Sequence, residues 1–306
     1  MSRSLKLIAV LASLSTYLVL LMGALVTNTG SGKGCGATWP LCNGSFLPAF
    51  DYKTIIEYSH RAVTGAAGIL VVVLAVWAWL ALRQNRTVKW LAAAALVTLV
   101  LQSFLGAAAA LWTQPKAVLA LHFGISLICF GAVLLLAVLV FQADRPQPTA
   151  PADPFLQRWV WQVTIYSYVV VYLGAYVRHI GASFACMGWP LCNGYVFPPL
   201  DAAVGASFIH RVAAALLAVL VLRMALMAHR SAAQRPDLAR AAYAALALIL
   251  AQSASGALFP LGYLNIATQM LHSAIITAYW GVLAYMNLQM MAPTAEPAPA
   301  NPAVSR

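Results

Sequence analysis

Along this chain the apolar positions do not alternate with polar ones, as in a half-buried strand; they run on for about twenty residues at a time. Eight such runs can be read, at 7–27, 62–82, 90–111, 117–141, 159–177, 208–228, 239–259 and 267–290. A helix of about twenty apolar residues spans the ~30 Å hydrocarbon core of a bilayer. The pattern therefore predicts an all-α integral membrane protein with eight transmembrane helices. The opening "MSRSLKLIAVLASLSTYLVLLMGALV" has the basic start of a signal peptide. Its apolar run is too long for one, and no small-residue cleavage site follows, so it is read as the first span.

Composition agrees with the pattern: 62% of the 306 residues are hydrophobic and 8% charged, with a mean hydropathy of +0.82. A soluble domain carries roughly a quarter charged residues. Charge adds an orientation. Arg3, Lys6, Arg83, Arg86, Lys89, Arg145 and Arg158 fall on one side, with Arg223, Arg230, Arg235, Arg240 and Arg306. The other side holds only Lys33, Lys53, Arg61, Lys116, Arg178 and Arg211. Short cytoplasmic loops hold the basic excess, so both termini are expected in the cytoplasm. The net charge of +11 then reads as topology and contact with membrane lipid, not as a nucleic-acid surface.

The line "WPLCNG" occurs twice, and the repeat extends much further. Pro40 and Pro190 lie 150 residues apart, as do Cys42 and Cys192, His60 and His210, Arg61 and Arg211, Gln102 and Gln252, Gly106 and Gly256, and His122 and His272. Cys35 and Cys186, like Gly23 and Gly174, are 151 apart, so one residue of length change sits between the paired cysteines. The expected fold is two tandem, pseudo-two-fold related four-helix bundles, parallel repeats because an even number of spans returns the chain to its starting side. The boundaries follow: an N-terminal half over 1–142, a Pro-rich cytoplasmic linker over 143–158, a C-terminal half over 159–290 and a disordered cytoplasmic tail over 291–306.

Four histidines occupy matched places. His60 and His122 lie at the outer starts of the second and fourth spans, His210 and His272 at those of the sixth and eighth. An imidazole inside a membrane is costly unless paired or ligated. One alone reads as an interhelical hydrogen bond; two pairs in register read as ligands. No further Cys, Asp or Glu stands at the spacing zinc wants, whereas haem iron takes two axial nitrogens from facing helices. Arg61 and Arg211, beside the histidines, are placed to meet haem propionates or to snorkel to headgroups. Gln102 and Gln252 stay open between pocket lining and interhelical bonding. Glycines 65, 68, 106, 124 and 256 would let helices approach a flat macrocycle.

The halves differ at one position. In "EYSHR" Glu57 precedes His60 by one helical turn, and the matching residue is Ser207. One site thus gains an acid/base group, suggesting a catalytic half and an electron-transfer half; the plainer reading is a carboxylate complementing a helix start. Cys35 with Cys42, and Cys186 with Cys192, lie in outer loops where disulfides form. Each pair reads either as a staple or as a redox-active bridge. Cys129, alone in an apolar span, reads as a small hydrophobe.

Taken together, "GALVTNTGSGKGCGATWPLCNG", "EYSHR", "LHFGIS", "GAYVRHIGASFACMGWPLCNG", "IHRVAA" and "LHSAI" resemble the haem A synthase family over nearly the whole chain to about residue 290. The resemblance implies a membrane oxidoreductase that oxidises a ring methyl of haem O to a formyl group by successive hydroxylations, supplying haem A to terminal oxidases. It implies that His60 and His122 hold substrate haem O, that Glu57 is the catalytic carboxylate with the Cys35–Cys42 disulfide taking part, and that His210 and His272 ligate a haem b. It further implies the cytoplasmic (inner) membrane of a bacterium, a quinone or other electron acceptor, and haem O synthase and oxidase assembly factors as partners. Homo-oligomerisation and the role of Cys186–Cys192 are left open. The segment "RTGSG" of the family reads "TNTGSG" here, with Asn28 where an arginine is expected, and the second half carries an arginine nearby at Arg178. Rival readings are a two-haem cytochrome b electron carrier, a quinone-linked thiol–disulfide oxidoreductase and, from the repeat alone, a transporter.

Overall fold

A computed structural model describes residues 1–49, 51–145 and 150–291. Most of the expected tail and part of the linker lie outside the described residues. The chain forms eight long helices: α1 Arg3–Asn28, α2 Tyr52–Ala81, α3 Arg86–Leu111, α4 Lys116–Gln142, α5 Pro154–His179, α6 Ala202–Arg230, α7 Pro236–Leu258 and α8 Ile266–Met290. Their starts are written in short polar residues that satisfy otherwise unpaired backbone N–H groups. Asp51 and Asp201, at matched positions, accept from Lys53 N and Val204 N, and Asn265 with Thr268 forms a reciprocal capping box. Pro154 and Pro236 occupy first-turn positions, where a missing N–H costs nothing.

Seven helices, α1 to α7, are long and apolar enough to cross a membrane, which makes the chain a multi-pass membrane protein. The eighth run does form a helix of 25 residues. It falls short of the seven in apolarity because Gln269, His272, Ser273, Thr277, Asn287 and Gln289 dilute it. Helix α2 also begins well before its apolar run. The polar "YKTIIEYSHR" segment is helical from the Asp51 cap onward, because its polar groups meet an outer loop instead of lipid.

Among the first four helices α1 packs on α2 and α4, and α3 on α2 and α4; among the last four the same pairs recur as α5 with α6 and α8, and α7 with α6 and α8. Helices α4, α5, α1 and α8 meet between them. Small residues make close approach possible where lipid supplies no hydrophobic drive. Ala9, Ala12, Ala75, Ala78, Ala92 and Ala95 are fully buried around Leu5, Leu74 and Leu136. A second core gathers Leu127, Leu217, Met224, Leu283 and Met286. Large apolar side chains such as Leu14, Ile69, Val97, Phe104, Ile165 and Leu250 point outward, as lipid-facing residues do. The N-terminal ammonium and Lys6 meet Asp144 at the end of α4, at 2.6 and 2.9 Å, and hold its carboxyl well below the usual carboxylate range.

Between α4 and α8 a side chain on Gly281 would press on its neighbours. A Cβ on Gly281 would stand 2.9 Å from Leu134 Cδ2 and 3.4 Å from Phe130 Cε1. Gly281→Leu is therefore expected to lower stability by about 1–3 kcal/mol through overpacking, read as a drop in thermal midpoint in detergent. Gly65→Ala, which meets nothing within 4 Å, should leave the midpoint in place.

Candidate functional site

Each of the four histidines rests on a glycine of the preceding helix. A Cβ would stand 3.4 Å from His60 Cε1 if placed on Gly23, 3.9 Å from His122 Cε1 on Gly106, 2.8 Å from His210 Cε1 on Gly174 and 3.2 Å from His272 Cε1 on Gly256. The glycines give the imidazole rings their space. Two of them, Gly23 and Gly174, served in the sequence only to mark the repeat; their register with the histidines was the available signal.

The rings associate in the expected pairs, His60 within electrostatic reach of His122 and His210 within reach of His272. The Nδ1 atoms of His60, His122 and His210 are buried without a hydrogen-bond partner, a costly condition that a ligand would relieve. His272 differs. Gln252 donates to its Nε2 at 2.8 Å, and its Nδ1 lies 2.8 Å from Ser255 Oγ, an arrangement that suits the Nδ1–H tautomer. Gln102 instead lines an interior cavity with Thr16, Thr64, Gly68 and Ser126. That cavity lies one turn below the first pair, since Thr64 and Ser126 follow His60 and His122 by four residues. Imidazole pairs between apolar helices are donors suited to haem iron. Among the described residues no group of three or more His, Cys, Asp and Glu is placed to hold a metal ion, as zinc would require.

The loop between α1 and α2 closes over the start of α2. Cys35 and Cys42 form a disulfide with Cα atoms 4.5 Å apart. Glu57, 5% exposed, accepts from the Cys35 N–H at 2.9 Å through Oε2 and from Arg61 Nη2 at 2.5 Å through Oε1. Arg61 Nη1 donates to the carbonyls of Thr38 and Leu41, both at 2.8 Å and both inside the disulfide ring. Thr54 Oγ1 donates to the Gly34 carbonyl at 2.7 Å and fixes the ring's edge to the helix. Carboxylate, guanidinium and disulfide loop are one connected unit.

The second half repeats the device without the acid. Cys186 and Cys192 form its disulfide. Arg211 Nη1 donates to the carbonyls of Gly188 and Leu191, at 2.9 and 3.2 Å, and Nη2 turns to the carbonyl of Cys186. Ser207, buried where Glu57 stands in the first half, offers no anion, so the third donor goes to backbone. Both arginines, read in the sequence as meeting haem propionates or headgroups, direct these donors to the loops and, for Arg61, to Glu57. Free Cys129 is buried, with its Sγ 3.8 Å from the Ala95 carbonyl.

Gly34 sits where the loop crosses α2, and a Cβ there would stand 2.4 Å from the Lys53 carbonyl oxygen and 2.7 Å from Thr54 N, both backbone. Gly34→Ala is expected to lift the loop, freeing the Cys35 N–H from Glu57 and costing about 1–3 kcal/mol. The check is thiol labelling after mild reductant. The Cys35–Cys42 bridge should open faster than in the wild type, and Cys186–Cys192 at an unchanged rate.

Comparison with known proteins places these features in a wider set. The family COX15-CtaA, described as cytochrome oxidase assembly protein, matches residues 47–284. The chain is similar to "Heme A synthase" of Symbiobacterium thermophilum, 52% identical over 275 residues that cover 88% of this chain and 90% of that protein. It is also similar to "Heme A synthase" of Geobacillus kaustophilus, 45% identical over 94% of this chain and 92% of that protein. A third relative of the same description, from Alkalihalophilus pseudofirmus, is 40% identical over 96% of this chain and its own full length.

Proposed function

Starting from a chain that belongs to the COX15-CtaA family of haem A synthases, we propose that its first half binds haem O and oxidises a ring methyl to the formyl group of haem A, while its second half keeps a haem b. The observation that carries this division is Glu57. A buried carboxylate held by Arg61 and the Cys35 N–H stands one turn before a paired histidine, and the matched residue in the other half is a serine.

The two halves, residues 1–142 and 159–290, form tandem four-helix bundles related by a pseudo-two-fold axis. The near-constant offset of 150 residues and the mirrored helix neighbours support that arrangement. In the first half His60 and His122 would present their nitrogens to the substrate's iron; beneath them lies a cavity of about 20 Å³, room for a water and not for a macrocycle, lined by apolar side chains with hydroxyls and Gln102. Those hydroxyls already donate to carbonyls of their own helices, Thr64 to His60 and Ser126 to His122, so the wall offers few free donors. In the second half His210 and His272 would hold haem b, the Gln252 amide giving way at His272 Nε2, and the bound haem would supply one-electron redox chemistry. Turning a methyl into an aldehyde takes one oxygen atom from water and releases four electrons, in two pairs, together with four protons. Glu57 is the base that receives them and passes them to the loop side. Arg61 and the loop amide keep it aimed during that exchange. Electrons pass to a quinone or another acceptor.

The basic excess on the opposite side supports cytoplasmic termini, with both disulfide loops on the outer face of a bacterial cytoplasmic membrane. There the enzyme would exchange haem with haem O synthase and oxidase assembly factors.

The test is the product. Cells supplied with haem O and expressing the wild type are expected to yield haem A on extraction, identified by chromatography and mass. Glu57→Gln should cut that yield by at least roughly a hundredfold, the scale of lost general-base catalysis. A wild type that returns its haem unmodified would make the chain an electron carrier.

A further inference from the structure

We propose that the outer rim of the first half is a cationic cradle for the two carboxylates of an incoming tetrapyrrole, built from Lys33, Lys116, Arg178 and His179. This deepens the reading of the first half as the haem O site and rests on it. The guanidiniums first in line for that task are engaged elsewhere: Arg61 with Glu57 and two loop carbonyls, Arg211 with three loop carbonyls.

The four residues converge from three segments. The Lys33 ammonium donates to the carbonyl of Ala110 at 2.7 Å. Ala110 is one turn further along α3 than Gly106, the glycine facing His122, so this charge is bound one turn beyond the His122 level. Lys116 opens α4, the helix that carries His122, and is exposed. Arg178 and His179 end α5, from the other half, yet they lean toward the first. Arg178 donates through Nε to Asn28 Oδ1 at 2.9 Å and through Nη2 to the Thr27 carbonyl at 3.2 Å, at the tip of α1. His179 is the last residue of α5, and Tyr172 of the same helix reaches the carbonyl of Ala117, next to Lys116, at 3.5 Å.

No protein anion answers this charge. Among the described residues the ion pairs involve Asp144, Glu57 and Asp237, and none includes Lys33, Lys116 or Arg178. The carboxylates at this end of the first half are Asp51, which caps α2, and Glu57, already paired. The repeat offers an internal comparison. Lys33 corresponds to Phe184 and Lys116 to Ile266, while Arg178 and His179 correspond to the uncharged Thr27 and Asn28. Lys33 and Lys116 thus stand over one site with uncharged counterparts over its twin, while Arg178, one turn beyond Gly174 on α5, lies between the two; His272 of the twin is hydrogen-bonded to Gln252 and Ser255. A site that must capture and exchange a dianionic substrate benefits from such a field; a site filled once does not. Membrane phosphates share the attraction to ammonium groups, so the test separates carboxylates on the porphyrin from charge in general.

The detergent-purified full-length protein is titrated with haemin and with haemin dimethyl ester, the Soret band reporting binding. The same titrations are run on Lys33→Gln/Lys116→Gln and on His60→Ala. Gln at 33 keeps a donor for the Ala110 carbonyl, and an unchanged thermal midpoint certifies the fold. The wild type should prefer the free acid over the ester, and the double variant should lose about tenfold of that preference, the scale of one charge-assisted contact. Added anionic phospholipid should leave the wild-type preference in place; if it erases the preference, the cradle is a headgroup site and the proposal falls. Binding that needs His60 but treats acid and ester alike, in wild type and variant, overturns the cradle alone. Binding indifferent to His60 overturns the haem O reading of the first half as well.

Discussion

An imidazole between apolar helices loses its water and must find both space and a partner. The outer part of this molecule is organised around meeting that requirement four times. Space comes from glycines on the preceding helices, which let each ring lie against bare backbone. Partners come unevenly: His272 is hydrogen-bonded at both nitrogens, while the Nδ1 atoms of the other three are left without one. Helix pairing, the repeat offset and the placement of the loops all keep those rings in register. Replacing Gly174, where a Cβ would press on His210 at 2.8 Å, would disturb that register before it disturbed anything else.

Duplication then allows divergence. Both halves seal their outer end with a disulfide loop drawn onto the second helix by an arginine, so the loop is part of the scaffold whatever else it does. In one half the arginine also holds a carboxylate, and charge collects at the rim. In the other a serine replaces the acid, apolar residues replace the lysines, and the histidine nearest the loop between α7 and α8 gains fixed hydrogen bonds. The haem A synthase family assignment and this asymmetry point the same way from independent grounds.

Much of this was legible in the residues. Long apolar runs located seven spans and the eighth helix. The constant offset paired the histidines, and comparison of "EYSHR" with "SFIHR" isolated Glu57. Three things were not legible. The start of α2 was placed late because hydropathy is blind to a polar helix segment that packs on a loop. The role of Arg61 and Arg211 depends on where loop carbonyls point, which follows from the folded ring between the cysteines and from no spacing. The rim cations, finally, lie far apart in sequence at 33, 116, 178 and 179, and only the approach of α5 to α1 and α4 brings them together.

The central claim is that two separate irons are held, each by its own histidine pair. Near-infrared magnetic circular dichroism of the haem-loaded protein tests it most directly, comparing wild type with His60→Ala and His210→Ala. Two bis-imidazole signals are expected in the wild type, with each substitution removing one and sparing the other. Loss of both signals on a single substitution, or persistence of both, would contradict the account.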